Sequence, residues 1–191
     1  PWGVHVMLRG EWCSRPFYEV VDIVNEALRY PEARGEMPRL IVEPRGRGWV
    51  RENVLLEVVA GLLAAHPTVE LTVMVDSSPS SADLRLVVDE LRARLGVSVA
   101  LGGVGAATGG DLRALVHVAP SLLVLDREAT MNLDRTRPAG VAAALASAMA
   151  TTVGASLMLI DPPVDPDATI REAWGASLVA TTLDLTQWSS P

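Results

Sequence analysis

Short apolar runs rich in Val and Leu recur along the whole chain, and between them the apolar positions fall at a spacing of three and four. The runs at 4–8, 39–42, 70–75, 97–101, 121–125, 156–160 and 178–182 read as strands. Their lack of strict alternation predicts burial on both faces, as in a parallel sheet. The first intervening stretch places Phe17, Val20, Val21, Val24, Ala27 and Leu28 on one helical face, behind Ser14 and Pro16 and ahead of a stop at Pro31. Further helices are predicted over 54–65, 82–95, 112–118, 141–150 and 168–176, with Gly96, Gly154 and Gly175 near their C-terminal ends, where a left-handed residue is useful. Strand and helix alternating in this way predict repeated βα units around a mostly parallel sheet. Seven such strands build either an open doubly wound sheet or an incomplete (βα) barrel, and periodicity does not choose between them.

The stretch 138–160 carries no charge and has the length of a bilayer span. Its first half is Ala-rich and helical, Thr151-Thr152-Val153-Gly154 punctuates it, and Ser156-Leu157-Met158-Leu159-Ile160 reads as a buried strand, so no membrane insertion is expected. No linker divides residues 1–191, which are expected to form one domain. The chain opens at Pro1, which suggests a C-terminal piece of a larger protein.

Composition narrows the chemistry. Aromatic residues make up 4%, so Val, Leu and Ala must build most of the interior. The 16 basic residues are all Arg, which removes Schiff-base lysine, Walker lysine and kinase ATP-lysine chemistry together. A net charge of −7 with scattered Arg excludes the basic stripe that a nucleic-acid partner requires. Cys13 is the sole cysteine, which rules out a disulfide framework and suits a cytoplasmic setting.

Four predicted strands end in an acid at the same offset: Glu43, Asp76, Asp126 and Asp161. In either parallel architecture the C-terminal strand ends gather at one face, so these carboxylates converge on one mouth and suit a hard cation such as Mg²⁺ or Mn²⁺. Each also has a simpler reading, as the cap of the following helix or the solvent end of a strand. His5 lies in the first strand, where it either joins that face or is simply packed and hydrogen-bonded. His66 and His117 lack ligand spacing and are assigned no role. Gly102-Gly103-Val104-Gly105, followed by Thr108-Gly109-Gly110, has the look of a phosphate-cradling turn but departs from the dinucleotide spacing, which favours a flexible turn. The serines around Pro79 lack the glycines of a nucleophile elbow and read as the start of a helix.

Taken in order, the strand ends resemble a degraded EAL domain, the (βα) TIM-like barrel family that hydrolyses cyclic di-GMP in bacterial signalling. Gly3-Val4-His5-Val6-Met7-Leu8-Arg9 sits where that family has Gly-Val-Glu-Ala-Leu-Leu-Arg, so His5 replaces a metal-binding Glu and Arg9 keeps a nucleotide-contacting Arg. The literal Glu26-Ala27-Leu28 is a decoy within a helix. Glu43 stands at the family's Asn ligand and Asp76 near its next metal-binding Glu. Leu95 to Gly105 resembles Leu-Gly-Val-Arg-Ile-Ala-Leu-Asp-Asp-Phe-Gly, with both Asp positions now Gly102 and Gly103. Leu123-Val124-Leu125-Asp126-Arg127 resembles Leu-Lys-Ile-Asp-Arg, the Lys replaced by Val124 and the Asp kept. Asp161 is the nearest stand-in for the Glu of Ala-Glu-Gly-Val-Glu, and Val179-Ala180-Thr181-Thr182-Leu183 occupies the Val-Gln-Gly-Tyr-Leu strand without its Gln.

The resemblance implies an incomplete barrel of about seven strands that lacks the family's first. It implies a degenerate metal site at His5, Glu43, Asp76, Asp126 and Asp161 and nucleotide contacts at Arg9, Gly102 and Gly103. Without both central Asp residues and the Lys, metal-assisted attack on a phosphodiester is expected to be lost. The expected role is therefore that of a pseudoenzyme in a signalling protein. It would act through a protein partner or homodimer first and as a non-hydrolysing cyclic di-GMP receptor second, requiring no cofactor unless the mouth still holds Mg²⁺ or Mn²⁺. The alternative is a divergent metal-dependent phosphodiesterase or hydrolase built on His5, Glu43, Asp76 and Asp161.

Overall fold

A computed structural model describes residues 2–8, 10–35, 39–45, 49, 54–76, 81–104, 112–125, 130, 137–161 and 176–183. Seven strands run in chain order around one sheet: β1 (Trp2–Leu8), β2 (Arg39–Pro44), β3 (Glu70–Asp76), β4 (Ser98–Val104), β5 (Leu122–Leu125), β6 (Ser156–Ile160) and β7 (Ala176–Leu183). Every neighbouring pair is parallel. β1 pairs with β2 on one side, Val4 opposite Leu40, and with β7 on the other, His5 opposite Thr182, so the sheet closes on itself. This resolves the choice that periodicity left open in favour of the barrel, with seven strands where a complete (βα) barrel has eight.

The helices cover the outside: α1 (Phe17–Ala33), α2 (Val54–Ala65), α3 (Ser81–Leu95), α4 (Leu112–Val118) and α5 (Arg137–Val153). Each strand has apolar side chains on both faces, which gives two outer clusters and one inner one. Outside, Val20, Val24 and Leu28 of α1 and Val58 and Leu62 of α2 pack on Val4, Val6, Leu40 and Val42. On the far side Ala143, Ala146 and Ala150 of α5 pack with Leu123, Leu125, Leu157 and Leu159. Inside, Ile41, Met74, Leu122, Val124, Met158 and Ile160 share the lumen with the small residues Ala100 and Ala180. Large side chains opposite small ones suit a barrel too narrow to hold seven large residues in a layer.

Several boundaries differ from the sequence reading. α1 does not stop at Pro31 but runs to Ala33, because the prolyl ring falls in the last turn and the Arg34 N–H still reaches the Tyr30 carbonyl. Pro31 itself is buried against the core. α5 begins at Arg137 and ends at Val153, beyond the predicted 141–150 at both ends. Ala176 starts β7 instead of ending a helix, and residues 168–175 of that predicted helix lie outside the described residues. A short 3₁₀ turn at Gly10–Ser14, not anticipated, buries Trp12 completely, and Trp49 is buried with it in the outer cluster of β1 and β2. Among the described residues no helix is long and apolar enough to cross a membrane.

Candidate functional site

β1, β2 and β7 are adjacent, and they bring three polar side chains, His5, Glu43 and Thr182, together in the lumen. His5 is directly opposite Thr182 in the β1–β7 register, and its Nδ1 lies 3.0 Å from the Thr182 hydroxyl. On the other side its Nε2 lies 2.9 Å from Oε2 of Glu43. A carboxylate oxygen only accepts, so Nε2 carries the proton toward Glu43, and in that tautomer Nδ1 accepts from the threonine hydroxyl. His5 and Glu43 are both buried, at 3% exposure each. A buried carboxylate needs compensation, and Glu43 has a second partner for its other oxygen: Arg45 Nε donates to Oε1 at 2.7 Å. Both carboxylate oxygens of Glu43 are thus engaged.

Asp161 is tied to the same belt from the opposite end. It follows β6 with φ of 47°, the left-handed conformation that Asp tolerates better than most residues. Its backbone N–H donates to the Ala180 carbonyl at 3.0 Å, while its Oδ1 accepts the Thr182 backbone N–H at 2.7 Å. The result is a continuous chain, Arg45 to Glu43 to His5 to Thr182 to Asp161, crossing four elements of the mouth. Above it lies a cavity of about 140 Å³, lined on its polar side by His5, Glu43, Arg45 and Thr182 and on its apolar side by Met74, Val124 and Ile160. Pockets that enclose a whole drug-sized ligand are roughly 300–1,000 Å³, so the space bounded by the described residues is smaller than such a ligand.

Of the residues expected to hold a metal at the mouth, the structure brings Glu43 and His5 into contact and ties Asp161 to His5 through Thr182. Asp76 ends β3 opposite Gly102, and no more than its backbone position is described. Asp126 and Arg9 lie outside the described residues. Among the described residues no group of three or more His, Cys, Asp or Glu is placed to hold a metal ion. The donor chemistry agrees with that geometry: both Glu43 oxygens and both His5 nitrogens already have protein partners, and Asp161 Oδ1 is committed to a backbone amide. As arranged, Glu43 and His5 do not fit a divalent cation.

Gly102 and Gly103 were expected in a flexible turn, and the structure corrects this: both belong to β4, where the pairing with β5 shifts register between Leu101 and Val104. Gly103 has φ of 75° and lines the cavity, so the bulge rests on its left-handed backbone. Gly102 is favoured by a close approach, since a Cβ there would meet the Met74 sulfur at 3.0 Å. Met74 fills the space that a longer side chain at 102 would occupy.

Sequence reasoning overlooked Arg45 and Thr182. Arg45 stands two residues beyond Glu43, the strand period that returns to the same face, and Glu43-Pro44-Arg45 carried that signal. Thr182 is visible as a site residue only once β7 closes on β1. His66, assigned no ligand role, is buried and bonded to Glu32 at 3.2 Å and Asn25 at 3.0 Å, pinning the end of α2 to α1.

No protein-family model and no curated protein matches the sequence. Solved structures do match. The PaMucR phosphodiesterase in its c-di-GMP complex superposes with a TM-score of 0.60 at 17% identity, covering 83% of this chain and 66% of that one. The EAL domain of Xanthomonas citri FimX, in complex with c-diGMP, gives 0.60 at 19% identity over 87% of this chain and 66% of its own. Bacillus subtilis YkuI, which has an EAL domain and was solved with c-di-GMP and calcium, gives 0.61 at 14% identity over 90% and 45%. The chain therefore spans less than two thirds of each of these relatives, and at these identities the likeness establishes the EAL-type fold.

Proposed function

We propose that this EAL-fold chain binds cyclic di-GMP at the barrel mouth and does not hydrolyse it, serving as a receptor module in bacterial signalling. The observation that carries the reading is the state of Glu43. Metal-assisted hydrolysis needs carboxylates open to a cation that activates water. Here His5 and Arg45 take both oxygens of the acid that stands at a ligand position in the resemblance, and Gly102 and Gly103 offer no side chain where that family has two Asp residues. What remains suits recognition: a half-exposed guanidinium at the lip and an apolar wall. Three structurally similar proteins were solved with this dinucleotide, which supports the choice of ligand.

The test is isothermal titration of the chain with cyclic di-GMP while the nucleotide is assayed for cleavage. Saturable binding with intact nucleotide is the expected result. Cleavage to the linear dinucleotide would restore the alternative of a divergent hydrolase, and absence of heat at high concentration would reject the receptor.

A second reading, interaction with a protein or a second copy, is favoured by α5. Beyond Arg137 this helix has no charged residue, and Val141 and Leu145, one turn apart, are 53% and 60% exposed. Surface helices ordinarily carry charge on that face. Sedimentation of wild type against Leu145→Asp tests it: a concentration-dependent dimer abolished by the substitution supports this reading, and a monomer at all concentrations removes the homodimer.

A further inference from the structure

One structurally similar protein was solved with both c-di-GMP and calcium, which raises the question of what would offset the charge of a phosphodiester bound at this mouth. Resting on the receptor reading above, we propose that the mouth takes its phosphodiester without a divalent cation, and that the Arg45 guanidinium supplies the positive charge a metal would otherwise bring. Arg45 is placed for both tasks. Its Nε donates to Glu43 Oε1 at 2.7 Å, while its side chain stays 53% exposed at the edge of the cavity. A guanidinium has five N–H donors in a planar fork, so one bond to Glu43 leaves donors that match two oxygens of a phosphodiester. Glu43 then acts as the positioning residue that sets the fork, itself fixed by His5, which is fixed in turn by Thr182. A cation approaching this belt would compete with the imidazole and the guanidinium for the same carboxylate and would face the Arg45 charge.

The decisive variant is Glu43→Gln, because the two accounts predict opposite signs. If Glu43 is a metal ligand, the amide weakens cyclic di-GMP binding by tenfold or more in Mn²⁺. If Glu43 only positions Arg45, the amide oxygen still accepts from Nε, the amide NH₂ donates to His5 Nε2 once the ring takes the other tautomer and donates from Nδ1 to Thr182, the competing negative charge is gone, and affinity is unchanged or severalfold tighter. Titrations in Mn²⁺ and in chelator, with wild type, Glu43→Gln and Arg45→Gln, are run beside Mn²⁺ alone followed by electron paramagnetic resonance. The expected results are equal affinity for wild type with Mn²⁺ or chelator, no Mn²⁺ bound by the protein alone, and at least tenfold weaker binding for Arg45→Gln. Should Arg45→Gln fail to fold, Arg45→Gln combined with Glu43→Gln removes the unpaired carboxylate and reads the same loss. Chelator-sensitive nucleotide binding, or Mn²⁺ bound by wild type and lost in Glu43→Gln, would overturn this inference and leave the receptor reading standing. Absence of nucleotide binding in every condition would overturn the receptor reading and with it the role given to Arg45.

Discussion

Gly102 and Met74 make a falsifiable pair, because the glycine is explained by the methionine. A Cβ at 102 would lie 3.0 Å from Met74 Sδ, 3.2 Å from Cγ and 3.4 Å from Cε. Its φ is outside the left-handed region, so the backbone itself accepts a side chain. Gly→Ala at such a position gains about 0.4–1 kcal/mol through the unfolded chain. Against this stands overpacking, roughly 1–3 kcal/mol in a close-packed interior, here about 1.5 kcal/mol because Met has three rotatable bonds with which to yield part of the strain. Gly102→Ala is therefore expected to lose about 0.5–1 kcal/mol net, a fall of roughly 2–4 °C in Tm per kcal/mol at this size. Met74→Ala alone should cost at least about 2 kcal/mol for a side chain that is 4% exposed. In the Met74→Ala background the clash has gone, so Gly102→Ala should become neutral or stabilising. Urea unfolding of the four proteins, at constant m, reads the cycle. The same destabilisation of Gly102→Ala in both backgrounds, equal within about 0.5 kcal/mol, would refute the account of why glycine stands there.

Three further outcomes follow from the same geometry. Gly61→Ala places a Cβ 2.8 Å from Val21 Cγ2, and because Val is stiff at χ1 the overpacking should outweigh the helix-propensity gain by about 1 kcal/mol; thermal unfolding should show the loss, and Val21→Ala should relieve it. Arg45→Ala leaves the buried Glu43 with His5 alone, at a cost of about 1–3 kcal/mol moderated by the solvent around a half-exposed guanidinium, and Glu43→Gln in the same chain should recover part of it in urea unfolding. His66→Ala removes the bonds to Glu32 and Asn25 and should cost about 1–2 kcal/mol, with faster hydrogen exchange at the end of α2 as the local signature.

The strands were legible because a parallel sheet buried on both faces writes itself as continuous apolar runs. Their ends were less so. Pro44, Asp76 and Gly102 to Val104 extend β2, β3 and β4 because strand pairing continues past the apolar segment wherever a neighbour remains to bond. The helix ends erred in the same direction: Pro31 reads as a stop, yet in a final turn it removes a single bond and adds a buried ring. The order of strands was open in the sequence, since alternation of strand and helix fits a sheet and a barrel equally. Only the pairing of Gly3 with Ala180 and His5 with Thr182, across almost the whole chain, decides it.

That closure also explains how much of the site could be read in advance. Glu43 and His5 stood out as an acid at a strand end and a polar residue in an apolar strand, but their relation depended on Thr182, 177 residues from His5. Side chains alternate across a strand, so a one-residue slip of β7 against β1 would turn Thr182 out of the lumen and leave His5 Nδ1 facing an apolar wall. The belt of Thr182, His5 and Glu43 therefore does two things through the same bonds. It fixes the register at the seam where first and last strands meet, and it engages the acid at the mouth. In a seven-stranded lumen already filled by Met74, Met158 and Ile160, a buried carboxylate and imidazole are stable because they satisfy each other. A cation at Glu43 would compete with His5 Nε2 for the carboxylate, so the acid at the mouth and the side chain that bonds across the β1–β7 seam are joined through one imidazole.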